Sequence, residues 1–145
     1  MIKKILTIVA LTIFSYTIQA QCTKFAEAVG LPLLTDSKYV HDGYTNALLV
    51  AEGDNIDLVK PFFKGKKYKV VVIGDPASFD FIRFRVVNSS KIVIYDNLDD
   101  DYPTTWEYSP LKNENLVISV YTPSPKNHNT PKTGCLAVLI GMALN

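Results

Sequence analysis

Hydrophobic and polar positions alternate over most of the chain after residue 44. Such alternation is typical of β-strands, because successive side chains of a strand point to opposite faces. Short stretches rich in glycine, asparagine, aspartate or proline separate the alternating segments, as turns do. The pattern predicts about eight strands, which cover residues 44–52, 56–63, 67–73, 81–87, 91–95, 104–109, 116–121 and 134–142.

The stretch from Gly65 to Asn97 contains three of these strands and indicates which side chains form the core. One face of each strand is apolar, so we assign these residues inward: Val70, Val72, Ile82, Phe84, Ile92 and Ile94. The last strand, Gly134 to Met142, is apolar on both faces and is predicted to be central in its sheet. Pro61 cannot donate a ladder hydrogen bond, so its strand is expected at an edge or bulge.

The residues before the first strand have a different pattern. Apolar residues between Cys22 and Val29 have the spacing of a short helix, which Gly30 and Pro32 are expected to end. We interpret residues 31–42 as a loop, and residues 122–133, with three prolines, as a long exposed loop.

The fold class predicted from these elements is all-β: an antiparallel β-sandwich of about eight strands, jelly-roll-like and preceded by a short N-terminal helix. A closed barrel is the alternative. Residues 21–43 would be the helix and loop packed on the sheet, and residues 44–145 the sandwich domain.

Residues 1–20 have the three regions of a secretory signal peptide: Lys3 and Lys4, an apolar run of about ten residues, and small Ala20 at the cleavage position. The run is too short for the roughly 20 residues of a membrane-spanning helix. A lipid-modified Cys22 is an alternative, but Gln21 stands where that motif has a small residue. We expect a bacterial protein that is secreted or held in the periplasm or cell envelope.

The charge balance excludes some partners. Without Lys3 and Lys4, 13 of the 15 basic residues remain against 14 acidic residues. Binding of nucleic acid or of an anionic membrane usually requires a basic excess, so neither partner is expected. The sequence does not indicate an oligomeric state.

Cys22 and Cys135 stand at opposite ends of the chain after the signal. Export permits a disulfide between them, which would tie the N-terminal segment to the last strand. The alternative is two separate thiols, with Cys135 as a small buried apolar residue.

Several segments resemble the bacterial pre-peptidase C-terminal domains, which are small β-sandwich modules of secreted proteins. The resemblance covers Tyr44 to Met142 and includes GKKYKV at Gly65, FIRFRV at Phe81, KIVIYD at Lys91, WEY at Trp106 and GCLAV at Gly134. Leu136 stands where that family has an aromatic residue in the last strand. The resemblance implies an accessory or adhesive domain without catalytic residues.

Two surface sites are candidates. Asp96, Asp99, Asp100 and Asp101 lie in one short segment and could supply oxygen ligands to calcium, the one cofactor considered; the alternative is a solvated turn. Phe81, Arg83 and Arg85 share one strand face and, with Lys67 and Lys69, could line a basic surface for carboxylates or acidic glycans. The alternative is an ordinary charged sheet face.

Catalytic motifs are not apparent. The two histidines, His41 and His128, stand in predicted loops without a nucleophile motif around them. Asp80, Glu107 and Glu114 could pair as carboxylates for glycoside cleavage, but nothing in the sequence brings them together. Trp106 and the tyrosines suit core and rim packing, although Tyr102 or Tyr121 could stack on a sugar ring. We therefore interpret the protein as a noncatalytic binding or structural module with a protein or glycan partner; a small secreted hydrolase and a calcium-stabilised adhesive domain are the alternatives.

Overall fold

The computed structural model describes residues 20–36, 38–126 and 130–144. It confirms the predicted fold class: two antiparallel sheets pack as a β-sandwich behind one N-terminal helical segment. Nine strands occur among the described residues, one more than the alternation predicted. The proposed signal peptide lies outside the described residues except for Ala20. No helix of the described part is long and apolar enough to cross a bilayer.

Sheet A has five strands and sheet B has four. In chain order the strands are β1 (Tyr39–His41), β2 (Asn46–Ala51), β3 (Asn55–Phe62), β4 (Tyr68–Gly74), β5 (Arg83–Asn88), β6 (Val93–Asp96), β7 (Thr105–Tyr108), β8 (Glu114–Tyr121) and β9 (Thr133–Ala143). Sheet A has the order β1-β9-β4-β7, with β2 also paired to β9, and sheet B has the order β3-β8-β5-β6. As predicted, β9 is central and the strand that contains Pro61 is at an edge.

The core between the sheets follows the alternation of the sequence. Leu116, Ile118 and Val120 of β8 are buried, and they face Val70 and Val72 of β4 across the sandwich. Phe84 and Val86 of β5 complete this layer, and Phe84 was predicted to face inward. Ile92 was assigned inward but is 62% exposed. It precedes β6, whose pairing with β5 shifts register between Val86 and Val87, so the alternation does not continue through it.

The helix (α1, residues 20–35) runs past the predicted end. It has a π-helical turn over Ala26–Gly30 and an α-helical end over Leu31–Thr35. Gly30 is buried there against Leu139, and the position requires glycine because an added Cβ would clash with the Leu139 side chain. Pro32 lacks a backbone N–H, and it stands inside α1 directly after the π-helical turn, where the Leu31 N–H donates to the Ala26 carbonyl. The predicted loop over residues 31–42 is therefore wrong: it contains the end of α1 and strand β1.

A second core cluster lies between α1 and the outer face of sheet A. Its centre is formed by Cys22, Ala26, Leu34, Ile73 and Leu139. Cys22 and Cys135 form a disulfide with their Cα atoms 5.1 Å apart, which confirms the predicted pair. The disulfide links α1 to β9, so the helix covers sheet A and leaves sheet B uncovered.

Aromatic rings close the side of the sandwich where β6 and β7 form the sheet edges. Tyr95 of sheet B stacks on Trp106 of sheet A with ring centroids 5.1 Å apart, and Trp106 stacks on Tyr108 at 4.9 Å. Burial is the largest cause that raises the pKa of Tyr95 to about 12, followed by the negative charge of Asp100. Trp106 and Tyr108 point inward, as predicted, and pack against the core instead of forming a surface on which a ligand could stack.

Candidate binding site at one end of the sandwich

Arg83 and Arg85 lie on the outer face of β5, and they share one carboxylate. Arg83 donates from Nε and Nη2 to Asp96 of β6, at 3.1 and 2.6 Å. Arg85 Nε lies 3.5 Å from the same carboxylate and has no hydrogen-bond partner. The Arg83 guanidinium is the main cause that lowers the pKa of Asp96, and Asp96 in turn raises the pKa of Arg83. Arg83 is thus held in one orientation.

The predicted basic surface that joins these arginines to Lys67 and Lys69 does not form. Both lysines belong to the sheet A side of the sandwich, whereas the arginines lie on the outer face of sheet B. Lys67 forms an ion pair with Glu107 at 2.6 Å. Lys69 is buried beneath the end of α1, where its ammonium contacts Asp36 at 2.9 Å. Alternation along a strand shows which residues share a face, but not which sheet that strand joins.

The acidic segment after β6 shapes the end of the sandwich. Asp96 accepts a hydrogen bond from the Leu98 N–H and so caps a short 3₁₀ turn, Asn97–Asp100. Asp99, Asp100 and Asp101 are exposed on this turn and just after it. In the described part of the chain, no group of three or more His, Cys, Asp or Glu side chains is arranged to hold a metal ion. The aspartates predicted as calcium ligands therefore do not come together as a cluster.

Asn97 connects the acidic turn to the neighbouring segments. Its buried side chain accepts from the Phe84 N–H at 2.8 Å and donates to the carbonyls of Ile82 and Pro103 at 2.9 and 3.2 Å. These bonds hold the start of β5 and the segment after the turn side by side. The sequence alone did not reveal this role, since an asparagine among aspartates is equally typical of a solvated turn.

Two consecutive residues after the turn have left-handed backbone conformations. Asp101 has φ 62° and Tyr102 has φ 58°. Left-handed geometry costs about 1 to 3 kcal/mol for a bulky residue and persists where surrounding contacts impose it. Here the Tyr102 N–H donates to the Asn97 carbonyl at 2.8 Å. The strained backbone places the Tyr102 ring against Phe81, with centroids 4.5 Å apart.

The Phe81 and Tyr102 rings form a wall between two surface clefts, and we call this pair the aromatic wall. The first cleft, the end cleft, has a volume of about 340 Å³ and is also lined by Arg83, Tyr121 and Asp54. The second cleft has a volume of about 350 Å³ and reaches Pro76, Phe79 and Thr104. Both rings are half-buried, so part of each ring packs against the protein and part is exposed to solvent.

The floor of the end cleft is fixed by hydrogen bonds between two turns. Thr122 is buried, and its hydroxyl donates to the carbonyls of Ala51 and Asp54 at 2.8 and 3.2 Å. Pro123 is also buried, and its carbonyl accepts from the Gly53 N–H. The predicted long exposed loop over residues 122–133 is therefore wrong at its start, because these two residues close the cleft.

The opposite end of sheet B has a cleft that is lined by different kinds of residues. Its volume is about 390 Å³, and it lies where β3 ends and β8 begins, with Phe63, Ser89 and Lys112 among its residues. Among the described residues that line it, none is an arginine and none has a left-handed nonglycine backbone. This end therefore serves as a matched control for experiments on the aromatic wall.

The residues considered for catalysis are dispersed. His41 Nε2 lies 3.2 Å from the Tyr44 carbonyl and 3.7 Å from the Asp42 carboxylate, and both cysteines are in the disulfide. Asp80 pairs with Lys126, Glu107 with Lys67, and Glu114 accepts from the Tyr108 hydroxyl. His128 lies outside the described residues.

Comparison with known proteins gives a likeness in fold. The structure is similar to that of PliG from Aeromonas hydrophila, a periplasmic inhibitor of g-type lysozyme, with a TM-score of 0.51. The two share 13% sequence identity over 68% of this chain and 84% of that chain. No protein family and no curated protein sequence matches. The likeness shows a shared β-sandwich fold.

Proposed function

We propose that this protein is a noncatalytic binding module that acts outside the cytoplasm and blocks a lysozyme by inserting the aromatic wall into its groove. The observation that carries the proposal is the aromatic wall itself: two rings in contact, tilted by 33°, with a cleft on each side. A projecting wall of this shape complements a groove in a partner, and tyrosine and arginine are among the residues enriched at the energetic centres of interfaces.

Preorganisation supports binding at this end. Asp96 fixes Arg83, and Asn97 fixes the segments that carry Phe81 and Tyr102. A surface already held in its binding geometry loses little conformational entropy on association. The backbone strain at Tyr102 also supports a binding site at this end, because strained residues held by their neighbours are common at binding sites.

The class of partner is suggested by the fold neighbour, a protein that inhibits g-type lysozyme. A shared fold alone does not assign a function. The lysozyme partner is therefore inferred by analogy with the fold neighbour, whereas the location of the binding site is inferred from the geometry of this chain. Export is supported by the Cys22–Cys135 disulfide, since disulfides form and persist in oxidising compartments.

The test is lysis of bacterial cell walls by g-type lysozyme in the presence of the purified protein. We expect the wild type to slow lysis, and the double variant Phe81→Ala, Tyr102→Ala to lose at least about tenfold in potency, since two interface aromatics are removed. Phe63→Ala at the opposite end is the control and should inhibit like the wild type. Unslowed lysis at saturating wild-type protein would refute the lysozyme partner, and binding of cell-wall glycan alone would show a glycan module instead.

A further inference from the structure

The outer face of sheet B carries an apolar row that crosses all four strands. Val59 pairs with Val117, Val117 with Val87, and Val87 with Val93. Val59 and Val93 are 60% and 44% exposed. The helix covers the other sheet, and none of the described elements packs on this face.

The next row along the strands is polar and has three charged residues, Asp57, Arg85 and Asp96, with the buried Ser119 between Asp57 and Arg85. Asp57 is exposed and makes no ion pair in the part of the chain that the structure describes. The Arg85 side chain is 34% exposed, and its contact with Asp96 is the longer one, at 3.5 Å, because Arg83 donates both short hydrogen bonds to that carboxylate. β8 separates Asp57 from Arg85 by two strand spacings, about 10 Å, and no ion pair joins them within the described chain.

The two rows of one chain are complementary to the same two rows of a second chain. If a two-fold axis runs along β8 between two apposed faces, each β5 residue lies opposite the β3 residue of the same row in the second copy. Arg85 then faces the partner's Asp57, and Val87 faces the partner's Val59. Residues of β8 face their own counterparts, so Val117 meets the partner's Val117. Such a contact is isologous, as closed dimers require.

We propose that the outer face of sheet B binds a second copy of this chain about this axis. The axis keeps the strands of the two sheets aligned, which is the common geometry of face-to-face sheets. Each Arg85–Asp57 contact gives Asp57 an opposite charge, which it lacks among the described residues, and gives Arg85 a second carboxylate besides the Asp96 that it shares with Arg83. The axis runs along the strands, so the two end clefts lie at the same end of the dimer, and the row of Ser119 and Arg85 lies two residues, about 7 Å, from Tyr121 of the end cleft.

Sedimentation velocity over a range of concentrations tests the dimer. We expect the wild type to form a concentration-dependent dimer in the micromolar range and Val117→Glu to remain monomeric. Leu49→Glu, at an exposed apolar position on a strand of sheet A, is the control and should dimerise like the wild type. Circular dichroism and thermal unfolding establish that each variant is folded. A wild type that stays monomeric, or a dimer that Val117→Glu does not disrupt, would overturn the proposal.

Charge reversal tests the pairing itself. Asp57→Arg and Arg85→Glu should each weaken self-association by at least about tenfold, since like charges then face each other twice in each dimer. An equal mixture of the two variants should form a heterodimer, because all four charges are then complementary. Loss of association in the mixture as well as in each variant would overturn the proposed axis.

Discussion

Arg83 donates two hydrogen bonds, at 3.1 and 2.6 Å, to the carboxylate of Asp96, which also caps the 3₁₀ turn that follows. One carboxylate therefore fixes both an arginine of the end cleft and the start of the segment that carries Tyr102. The binding geometry proposed for this end depends on this pair and on Asn97.

The Arg83–Asp96 pair predicts a pH dependence of stability. The pKa of Asp96 is lowered in the folded protein, so the pair contributes stability above the ordinary carboxyl pKa, and this stability is lost as the pH falls below about 4. Asp96→Asn keeps a capping side chain but removes the charge. Because Arg83 is 36% exposed and screened, we expect the variant to lose about 1 kcal/mol at pH 7 and to lose less on acidification than the wild type.

Urea unfolding at pH 7 and at pH 3 measures this difference. Asp99→Asn is the matched control, since Asp99 is exposed on the same turn and makes no ion pair among the described residues. Equal acid sensitivity of the wild type and Asp96→Asn would contradict the assignment.

Asn97→Ala should be more damaging than loss of the ion pair. The substitution leaves the Phe84 N–H and the Ile82 carbonyl without their partner in a buried position. Each unsatisfied buried group costs about 1 to 3 kcal/mol, and we expect a total loss of about 3 kcal/mol in chemical unfolding. Asn115→Ala, at an exposed position of β8, should change stability by less than about 0.5 kcal/mol. A small effect of Asn97→Ala would show that the turn is held by other contacts.

The backbone at Tyr102 can be tested with a matched pair of substitutions. Tyr102→Ala and Tyr102→Gly both remove the ring, but only glycine accepts φ 58° without steric cost. We therefore expect the glycine variant to be more stable than the alanine variant by about 1 kcal/mol, measured by thermal unfolding. The order should reverse at Tyr121, in a strand, where glycine is unfavourable. The same order at both positions would argue against strain at Tyr102.

The alternation of the sequence was sufficient for the sandwich and for most of its core. Val70, Val72 and Phe84 are buried as predicted, because the buried face of a strand carries apolar side chains and the exposed face carries polar ones. Gly30 and Pro32 were misinterpreted as helix ends. Their positions depend on tertiary contact with Leu139 and on a π-helical turn, neither of which has a local signal.

The candidate site was predicted in part. Phe81 and Arg83 do line the end cleft, whereas Arg85 lies farther along the same face of β5, outside the cleft, and Lys69 is buried beneath the helix. Asn97 and Thr122 could not be identified from the sequence, since their importance comes from hydrogen bonds between segments that only the folded chain brings together.

The disulfide should stabilise the docking of α1 on sheet A. Replacing both Cys22 and Cys135 by alanine removes a link across 113 residues, and we expect a loss of about 2 to 5 kcal/mol in urea unfolding. Dithiothreitol should destabilise the wild type by a similar amount and leave the double variant unchanged. Equal unfolding midpoints of the oxidised and reduced wild type would contradict this role.

Hydrogen exchange of the protein with and without saturating g-type lysozyme tests the central proposal most directly. We predict that lysozyme slows exchange in the segments that form the aromatic wall and the end cleft, around Phe81, Tyr102 and Thr122, and leaves the opposite end around Phe63 and Lys112 unchanged. Absence of any protection, or protection confined to the opposite end, would contradict the proposed function.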